Sequence, residues 1–171
     1  MPETTISIRP IRADEGEALR SIRLQALVDS PSSFGSTLAE TEARPMDYWD
    51  YRAAIGEAGE ESVIFVADDA GTWVGLAGGW YEELDDGPAA ELISMWVNPA
   101  YRARGIGRRL VERVIDWARE RGARRISLRV TQGNDSAASL YVRCGFVLTG
   151  ETQPHPSHPS LREERMVLDL E

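Results

Sequence analysis

The sequence predicts an α/β fold, a mixed sheet of about seven strands flanked by about four helices. Two patterns support this class. Segments with apolar residues at helical spacing alternate with short segments typical of strands, and the middle of the chain places successive strands with only turns between them. The predicted order is β-α-α-β-β-β-α-β-α-β-β. The length of 171 residues and the lack of a repeat or linker predict a single domain over residues 1–171.

The region before the second strand is predicted to be mainly helical. Ile6–Arg9 alternates as a first strand, and Ala13–Val28 carries apolar residues at helical spacing. A serine-rich loop over residues 30–36 follows this first helix. A second helix is expected over Met46–Ile55, and we predict that Gly56 and Gly59 break it.

Strands and tight turns are predicted next. The strands are Val63–Ala67, Trp73–Tyr81 and Ala90–Val97, and the turns lie at residues 68–71 and 85–88. Both turns combine aspartate with glycine, which favours a sharp reversal of the chain. These strands are therefore expected to pair antiparallel with their neighbours in sequence.

The last third of the chain returns to alternation of helix and strand. A long amphipathic helix is predicted over Gly105–Arg121, because its apolar residues fall on one face. A strand over Arg125–Thr131 and a short helix from Asn134 to Cys144 follow. Strands over Phe146–Leu148 and Arg165–Leu170 complete the order.

Composition and charge exclude several classes of protein. The net charge of −9 argues against nonspecific nucleic-acid binding, which needs a basic surface, and is compatible with a cationic substrate. No apolar run approaches the ~20 residues that span a membrane, and residues 1–12 lack the apolar core of a signal peptide. The single cysteine, Cys144, rules out an internal disulfide. We therefore expect a cytoplasmic protein with no nucleic-acid or membrane partner.

A pair of histidines suggests a metal site only weakly. His155 and His158 stand three residues apart, and such a pair binds metal only with further ligands. Pro156 and Pro159 make a helical arrangement of the pair unfavourable. The sequence therefore predicts a surface loop here and no bound metal.

The stretch from Arg102 to Gly107, Arg-Ala-Arg-Gly-Ile-Gly, predicts an anion site. It lies between a predicted strand and the start of a long helix, where unpaired amides and the helix dipole favour a phosphate. It matches neither the dinucleotide fingerprint nor the NTPase loop, and the chain contains no lysine. Taken alone, the glycines are equally typical of a helix-start turn without a ligand.

Two motifs together resemble the GNAT superfamily of N-acetyltransferases. Arg102, Gly105 and Gly107 match its motif A, [Q/R]-x-x-G-x-[G/A]. The segment 134–146 matches its motif B, N-x-x-A-x-x-[LF]-Y-x-[KR]-x-G-F, at every fixed position. The predicted order of elements is also that of the GNAT fold, and residues 30–37 are similar to a loop found in a bacterial branch of the family.

The resemblance implies acetyl-CoA as the donor, with its pyrophosphate on the backbone amides of residues 104–108. The side chains of Arg102 and Arg104 either add charge there or project into solvent. Asn134 contacts the cofactor arm, caps its helix, or does both. The implied cofactor-binding residues are Met95, Trp96, Val97, Arg102, Arg104, Gly105, Ile106, Gly107, Arg108, Asn134, Ala137 and Tyr141.

Two residues are the candidates for acid–base catalysis. The resemblance implies that Tyr141 is a general acid that protonates the departing CoA thiolate; otherwise it is a core tyrosine. Glu91 stands where some family members carry a catalytic glutamate. It is expected to share an apolar strand face with Ile93 and Met95, a setting that would raise its pKa. The alternatives are a glutamate facing solvent and a bound water acting as the base.

The acceptor is implied to be a primary amine that attacks the thioester directly in a ternary complex. A small amine, a polyamine, an aminoglycoside and a protein N-terminus all fit, so the partner is a small-molecule or peptide amine. The family resemblance also allows a homodimer. A catalytically silent acyl-CoA-binding sensor is the alternative, since it would need neither Tyr141 nor Glu91. The candidate acceptor-binding residues are Phe34, Trp49, Trp80, Tyr81 and Glu82, and the four aromatic residues among them are equally compatible with the core.

Overall fold

The computed structural model describes residues 5–171 and contains a seven-stranded mixed sheet. The strands are β1 Ser7–Pro10, β2 Ser62–Asp69, β3 Thr72–Leu84, β4 Gly87–Val97, β5 Arg125–Thr131, β6 Val147–Pro154 and β7 Arg162–Asp169. The helices are α1 Gly16–Asp29, α2 Leu38–Glu42, α3 Met46–Ala58, α4 Ile106–Glu120 and α5 Asp135–Arg143. The predicted fold class is confirmed, with one short helix more than the predicted order contains.

The strand order across the sheet is β1-β2-β3-β4-β5-β7-β6. Consecutive strands pair antiparallel except β4 and β5, which run parallel because helix α4 carries the chain back between them. Only residues 89–91 of β4 pair with residues 125–127 of β5. Beyond this short ladder the two strands diverge, although each continues for several residues.

The sheet is covered on both faces. Helix α4 buries its apolar stripe, including Leu110 and Val114, against one face in the larger hydrophobic cluster. Helices α1 and α3 pack on the other face over β1 to β3 in a second cluster around Ile22 and Trp49. Since α1 and α3 cover mainly the β1 side of that face, the part formed by β4, β5 and β7 is left more open.

Helix α2 was missed because five residues are too few to show a period. Its start nevertheless carries a recognisable signal. The Thr37 hydroxyl accepts a hydrogen bond from the Glu40 amide at 3.1 Å, and the Glu40 carboxylate accepts one from the Thr37 amide at 2.8 Å. This capping box satisfies donors that the first turn would otherwise leave unpaired.

The prediction that Gly56 and Gly59 break α3 is wrong for Gly56 and confirmed for Gly59. The helix continues to Ala58 and ends at Gly59, which adopts the left-handed φ of 68°. Gly56 is buried inside the helix, where an added Cβ would lie 3.0 Å from side-chain atoms of both Ile11 and Ile64. The glycine is used for close packing of α3 on the sheet, and that packing outweighs its poor helix propensity.

The prediction of a surface loop is also wrong for His155, which is buried. Its Nδ1 accepts hydrogen bonds from the amides of Ser157 and His158, at 3.0 and 3.1 Å. Because Nδ1 is an acceptor, Nε2 carries the proton and donates to the Ser32 carbonyl at 2.9 Å. The side chain thus joins the loop before β7 to the loop after α1.

Candidate functional site

The divergence of β4 from β5 opens a cleft in the sheet. Within the described range 5–171, residues 92–97 of β4 have no partner strand on the β5 side. Apart from the Val97 carbonyl, which accepts a hydrogen bond from Arg102, their backbone groups on that side are free to bind an extended ligand, as an unpaired strand edge binds a peptide. Helix α5 flanks the gap, and the start of α4 lies at its mouth, since residues of both helices line the same cleft.

The start of α4 is an uncapped helix N-terminus. Gly105 precedes it in the left-handed conformation, with φ of 78°, and offers no side chain to the first turn. The first intrahelical bond runs from the Arg109 amide to the Gly105 carbonyl at 3.1 Å. The amides of Ile106, Gly107 and Arg108 therefore have no intrahelical acceptor, which is the arrangement that binds phosphate groups.

Gly107 is glycine for a packing reason as well. A Cβ at this position would lie 2.9 Å from the Met95 terminal methyl and 3.2 Å from a methyl of Leu140. Both neighbours line the cleft. A side chain here would push Met95 or Leu140 away, so the first turn of α4 approaches β4 and α5 closely only with glycine at this position.

The cleft has a volume of about 360 Å³. It brings together residues of the β4 end, the glycine loop, the first turn of α4 and the face of α5. All the predicted cofactor-binding residues except Arg104 line it. The lining includes Met95, Trp96, Val97, Arg102, Gly105, Ile106, Gly107, Arg108, Asn134, Ala137 and Tyr141, together with Ser30, Ser33 and Leu140, which the sequence reasoning missed.

The arginine side chains of the loop are largely engaged within the protein. The Arg102 guanidinium pairs with Asp29 at 2.6 Å and donates to the Val97 carbonyl at 2.9 Å. Arg104 lies over the ring of Tyr101 at 5.1 Å and is not itself one of the residues that line the cleft. Arg108 pairs with Glu112 along the helix at 2.8 Å. The free backbone amides, rather than these side chains, are the uncommitted donors at the mouth.

Asp29 organises this edge of the cleft. Its carboxylate accepts hydrogen bonds from the Ser30 hydroxyl at 2.6 Å, the Trp96 indole at 3.0 Å and Arg102. These donors, the Ser30 hydroxyl first, hold the pKa of Asp29 below its ordinary value. The Trp96 side chain is thereby fixed in the cluster beneath α1.

Tyr141 lies on α5 with its side chain buried and lines the cleft. Its ring packs edge-on against Phe146 at 6.1 Å between centroids. Burial raises the pKa of Tyr141 above its ordinary value. The phenol therefore keeps its proton at neutral pH, which is the state a proton donor needs.

Asn134 acts as the N-cap of α5, which is one of the roles predicted for it. Its side-chain oxygen accepts a hydrogen bond from the Ala137 amide at 3.3 Å. Its side-chain nitrogen lies 3.5 Å from the Ser33 hydroxyl. Since Asn134 also lines the cleft, the cap leaves it in place to contact a ligand.

A bulge in β4 corrects the predicted strand faces. Ser94 has a positive φ of 58°, and the pairing with β3 shifts register between Leu76 and Gly78. The alternation of side chains is reset at this point. Met95 therefore points to the α4 side, against Gly107, and does not share a face with Glu91 as predicted.

Glu91 lies in β4 at the last paired position before the strands diverge, opposite Ser127. Its flanking residues Ala90 and Leu92 belong to the cluster under α4, so Glu91 points to the opposite face. Burial raises the pKa of Glu91. The charges of Arg129 and Arg165 oppose this rise, and those of Glu82 and Glu163 add to it.

The five candidate acceptor-binding residues divide between the two faces. Trp80, paired with Glu91 across the strands, and Glu82 lie on the Glu91 face. Tyr81, between them, lies on the α4 face, where its hydroxyl donates to Glu83 at 2.6 Å and Arg121 covers its ring. Phe34 and Trp49 are buried in the cluster beneath α1 and α3.

Sequence reasoning missed a second cavity, which we call the arginine pocket. It is small, about 60 Å³, and lies between α1, α3 and the β4 bulge. Its cationic lining residues are Arg23, Arg44 and Arg52, and its other members include Ser36, Tyr48, Trp49 and Ser94. A signal existed for one of them, because Arg23 falls between Leu19 and Leu27 on the buried stripe of α1.

The described residues hold neither of two further kinds of feature. From Thr5 to Glu171, no helix is long and apolar enough to cross a membrane. Within the same range, no group of three or more histidine, cysteine, aspartate or glutamate residues is placed to hold a metal ion.

The fold places an open strand edge and the free amides of a helix start at one cleft. Comparison with known sequences identifies the class. The model of the Acetyltransferase (GNAT) family matches residues 24–146, which is well over half of the chain. The chain therefore belongs to this family, as its motifs predicted.

One curated relative is the mycothiol acetyltransferase of Beutenbergia cavernae. It is 28% identical over 132 residues, which cover 77% of this chain and 41% of that protein. Other mycothiol acetyltransferases that match are likewise covered over 42–47% of their length. The chain thus spans less than half of the length of these relatives.

Solved structures share the fold at low sequence identity. A GNAT-family acetyltransferase from Streptococcus pneumoniae superposes with a TM-score of 0.82 at 20% identity, covering 98% of this chain and all of that one. NAA60 of Arabidopsis thaliana, solved in complex with acetyl-CoA, superposes with a TM-score of 0.74 at 18% identity, covering 97% and 99% of the two chains. These likenesses confirm the GNAT fold.

Proposed function

We propose that this protein is an acetyl-CoA-dependent N-acetyltransferase that moves an acetyl group to a primary amine. The observation that carries the proposal is the cleft where β4 leaves β5, with the free amides of Ile106, Gly107 and Arg108 at its mouth and Tyr141 inside it. Membership of an acetyltransferase family and the acetyl-CoA complex of a protein with the same fold support this assignment.

The donor would lie along the cleft with its pyrophosphate on the start of α4. The amides there bind anions without a change in the protein, since they have no intrahelical acceptor. The pantetheine arm carries amide groups, and the unpaired edge of β4 at residues 92–97 supplies the complementary N–H and C=O groups. Met95 and Val97 would flank the arm.

The reaction would be direct transfer within a ternary complex. The unprotonated amine attacks the thioester carbonyl, an N–C bond forms, and the C–S bond breaks to release CoA. Tyr141, which keeps its proton because it is buried, would protonate the departing thiolate. The amine loses its proton to Glu91, directly or through a water, since the pKa of Glu91 is raised toward the working range.

A thiol-release assay tests the proposal. Purified protein is mixed with acetyl-CoA and a panel of primary amines, and the appearance of free CoA is followed against blanks without amine. We expect amine-dependent release for at least one class of amine. A silent acyl-CoA-binding sensor would instead bind acetyl-CoA in a calorimetric titration and release no thiol with any amine.

Assembly is a separate proposal. We propose that residues 1–171 form a single domain, because every strand from β1 to β7 belongs to one sheet.

A homodimer is compatible with the exposed apolar side chains of Val147 and Leu148 on the edge strand β6. Light scattering after size exclusion gives the molar mass directly, and a mass near 19.0 kDa would exclude the dimer.

A further inference from the structure

The arginine pocket concentrates positive charge that forms no ion pair with any acidic side chain among residues 5–171. Arg23 is largely buried in α1, and burial lowers its pKa to about 10. Its guanidinium donates to the Ser94 hydroxyl at 2.8 Å and stacks over the Phe34 ring at 4.3 Å. Both contacts hold the guanidinium in position, and neither supplies a negative charge.

Arg52 and Arg44 bring two more guanidinium groups to the same cavity. Arg44 lies over the Tyr48 ring at 4.6 Å and is exposed at the rim. Among residues 5–171, none of the ion pairs involves Arg23, Arg44 or Arg52. A largely buried cation without a counter-charge is unfavourable unless something binds it.

Two buried donors of the pocket have no acceptor within the described chain. They are the Arg52 Nε–H and the Trp49 indole N–H. Trp49 is almost wholly buried and still lines the cavity. Buried polar groups in folded proteins are nearly always hydrogen-bonded. These unpaired donors lie in the wall of the pocket, beside guanidinium groups that lack a counter-charge, so this part of the fold is strongly electropositive.

The pocket adjoins the site of acetyl transfer. Ser94 lines the arginine pocket and Met95, the next residue, lines the cofactor cleft. Because of the bulge, Met95 lies on the α4 side, against Gly107, and Ser94 lies on the opposite side of β4. A group held in the pocket would therefore lie on the far side of the strand edge along which the acetyl-CoA arm is proposed to run.

We propose that the arginine pocket binds an oxyanion of the acceptor, a carboxylate or a phosphate, and so selects amines that carry one. The inference rests on the proposed N-acetyltransferase function and names its substrate class. The guanidinium groups of Arg23 and Arg52, which line the cavity, neutralise the oxyanion, and the exposed Arg44 closes the rim. A volume of about 60 Å³ accommodates the anionic group but not a whole substrate.

This substrate class differs from the cationic acceptors with which the net charge of −9 is compatible. Net charge describes the whole surface, whereas a bound group responds to the charges within a few ångströms of it, where screening is weakest. The three arginines of the pocket dominate there. A polyamine or an aminoglycoside would meet like charge at this position, and we expect both to be poor substrates.

Matched amine pairs test the selection. Initial rates are measured for several amino acids and their amides, and for O-phosphoethanolamine and ethanolamine, at fixed acetyl-CoA. We expect kcat/KM to be at least about tenfold higher for the anionic member of one pair type, since charged hydrogen bonds contribute this much. The pair type that shows the preference distinguishes carboxylate from phosphate. Equal rates within every pair would overturn the inference.

Variants locate the selection in the pocket. Arg52→Gln and, separately, Arg44→Gln should raise KM for the anionic amine about tenfold or more and leave KM for acetyl-CoA unchanged. Arg119→Gln, which removes an exposed charge on α4, is the matched control and should change neither. Arg44 is exposed, so its variant stays informative if Arg52→Gln does not fold. A uniform loss with charged and neutral amines alike would contradict a selective role.

A binding measurement separates failure of this inference from failure of the proposed function. Calorimetric titration of the same anionic amines requires no turnover. Saturable binding that Arg52→Gln or Arg44→Gln weakens and Arg119→Gln retains supports the pocket even if no thiol is released. Turnover of neutral amines without any binding of the anionic ones would retain the proposed function and overturn the oxyanion pocket.

Discussion

The proposed cofactor cleft and the arginine pocket lie on either side of the β4 bulge and offer a ligand different kinds of group. The cleft offers backbone groups, namely the amides at the start of α4 and the free edge of β4. The pocket offers side chains from α1, the segment after α2, and α3. A backbone site needs glycine at fixed spacing and so leaves a motif in the sequence. A site made of distant side chains leaves none.

The largest expected effect is at Gly107, where the backbone site is most easily blocked. Gly107→Asp should reduce acetyl-CoA binding below detection, because it adds bulk against Met95 and Leu140 and negative charge where the pyrophosphate is proposed to lie. Gly107→Asn has nearly the same bulk without the charge. Calorimetric titration of CoA with both variants separates the two causes.

The results for the two Gly107 variants decide whether the cleft binds CoA through the backbone amides at the start of α4. We expect the asparagine variant to bind measurably better than the aspartate variant. Equal losses would show that packing against Met95 and Leu140 explains the glycine on its own. Undiminished affinity in both variants would remove the start of α4 from the donor site.

Tyr141→Phe should have the next largest effect, on turnover alone. The substitution keeps the ring that packs against Phe146 and removes the proton donor. A general acid typically contributes about 10²–10⁴-fold to rate, so kcat should fall within this range while CoA affinity is kept. Thiol release under saturating substrates measures it. An unchanged kcat would return Tyr141 to the role of a core tyrosine.

The two regions also differ in how well they could be predicted. The cleft followed from contiguous segments, since Gly105 and Gly107 mark the start of α4, and the order of elements places α5 beside it. The bulge could not be predicted, because Ser94 takes its positive φ of 58° from the sheet around it and not from its own preference. That one residue reversed the expected side of Met95.

Buried polar residues account for most of the remaining errors. His155 was expected in solvent because polar residues usually are, yet the amides of Ser157 and His158 and the Ser32 carbonyl satisfy its ring. Arg23 was assigned to the helix and not to a site. Its position on the buried stripe of α1 was visible in the sequence, but its neighbours from α3 and β4 were not.

Glu91→Gln tests the face of the sheet opposite α4, and the measurement is the pH dependence of kcat/KM rather than a rate at one pH. If Glu91 is the base, kcat/KM of the wild type rises with pH through an inflection above the ordinary pKa of glutamate, because burial raises the pKa of Glu91. The variant should lack this inflection. A profile that is unchanged in the variant would assign the role to a water without Glu91.

Stability gives a second readout for the same variant. Because its pKa is raised in the folded state, Glu91 favours folding when protonated, and this contribution is lost as pH rises through the unfolded value toward the folded one. Gln stays neutral throughout. The melting temperature of Glu91→Gln relative to wild type should therefore increase between about pH 4 and pH 7, and a constant difference would contradict a raised pKa.

The smallest loss of CoA affinity is expected from substitution of Arg102, and the size of this loss tests whether the cleft binds CoA through backbone groups. The side chain already pairs with Asp29 and donates to the Val97 carbonyl, so little of its charge is free for a phosphate. Arg102→Gln keeps a donor for that carbonyl and should weaken CoA binding by no more than about threefold, as expected for a partly exposed ion pair.

Arg104→Gln is the control, because Arg104 is not one of the residues that line the cleft. A loss at Arg102 comparable to that of Gly107→Asp would mean that the arginine leaves Asp29 when CoA binds, and the cleft would then resemble the arginine pocket in using side-chain charge.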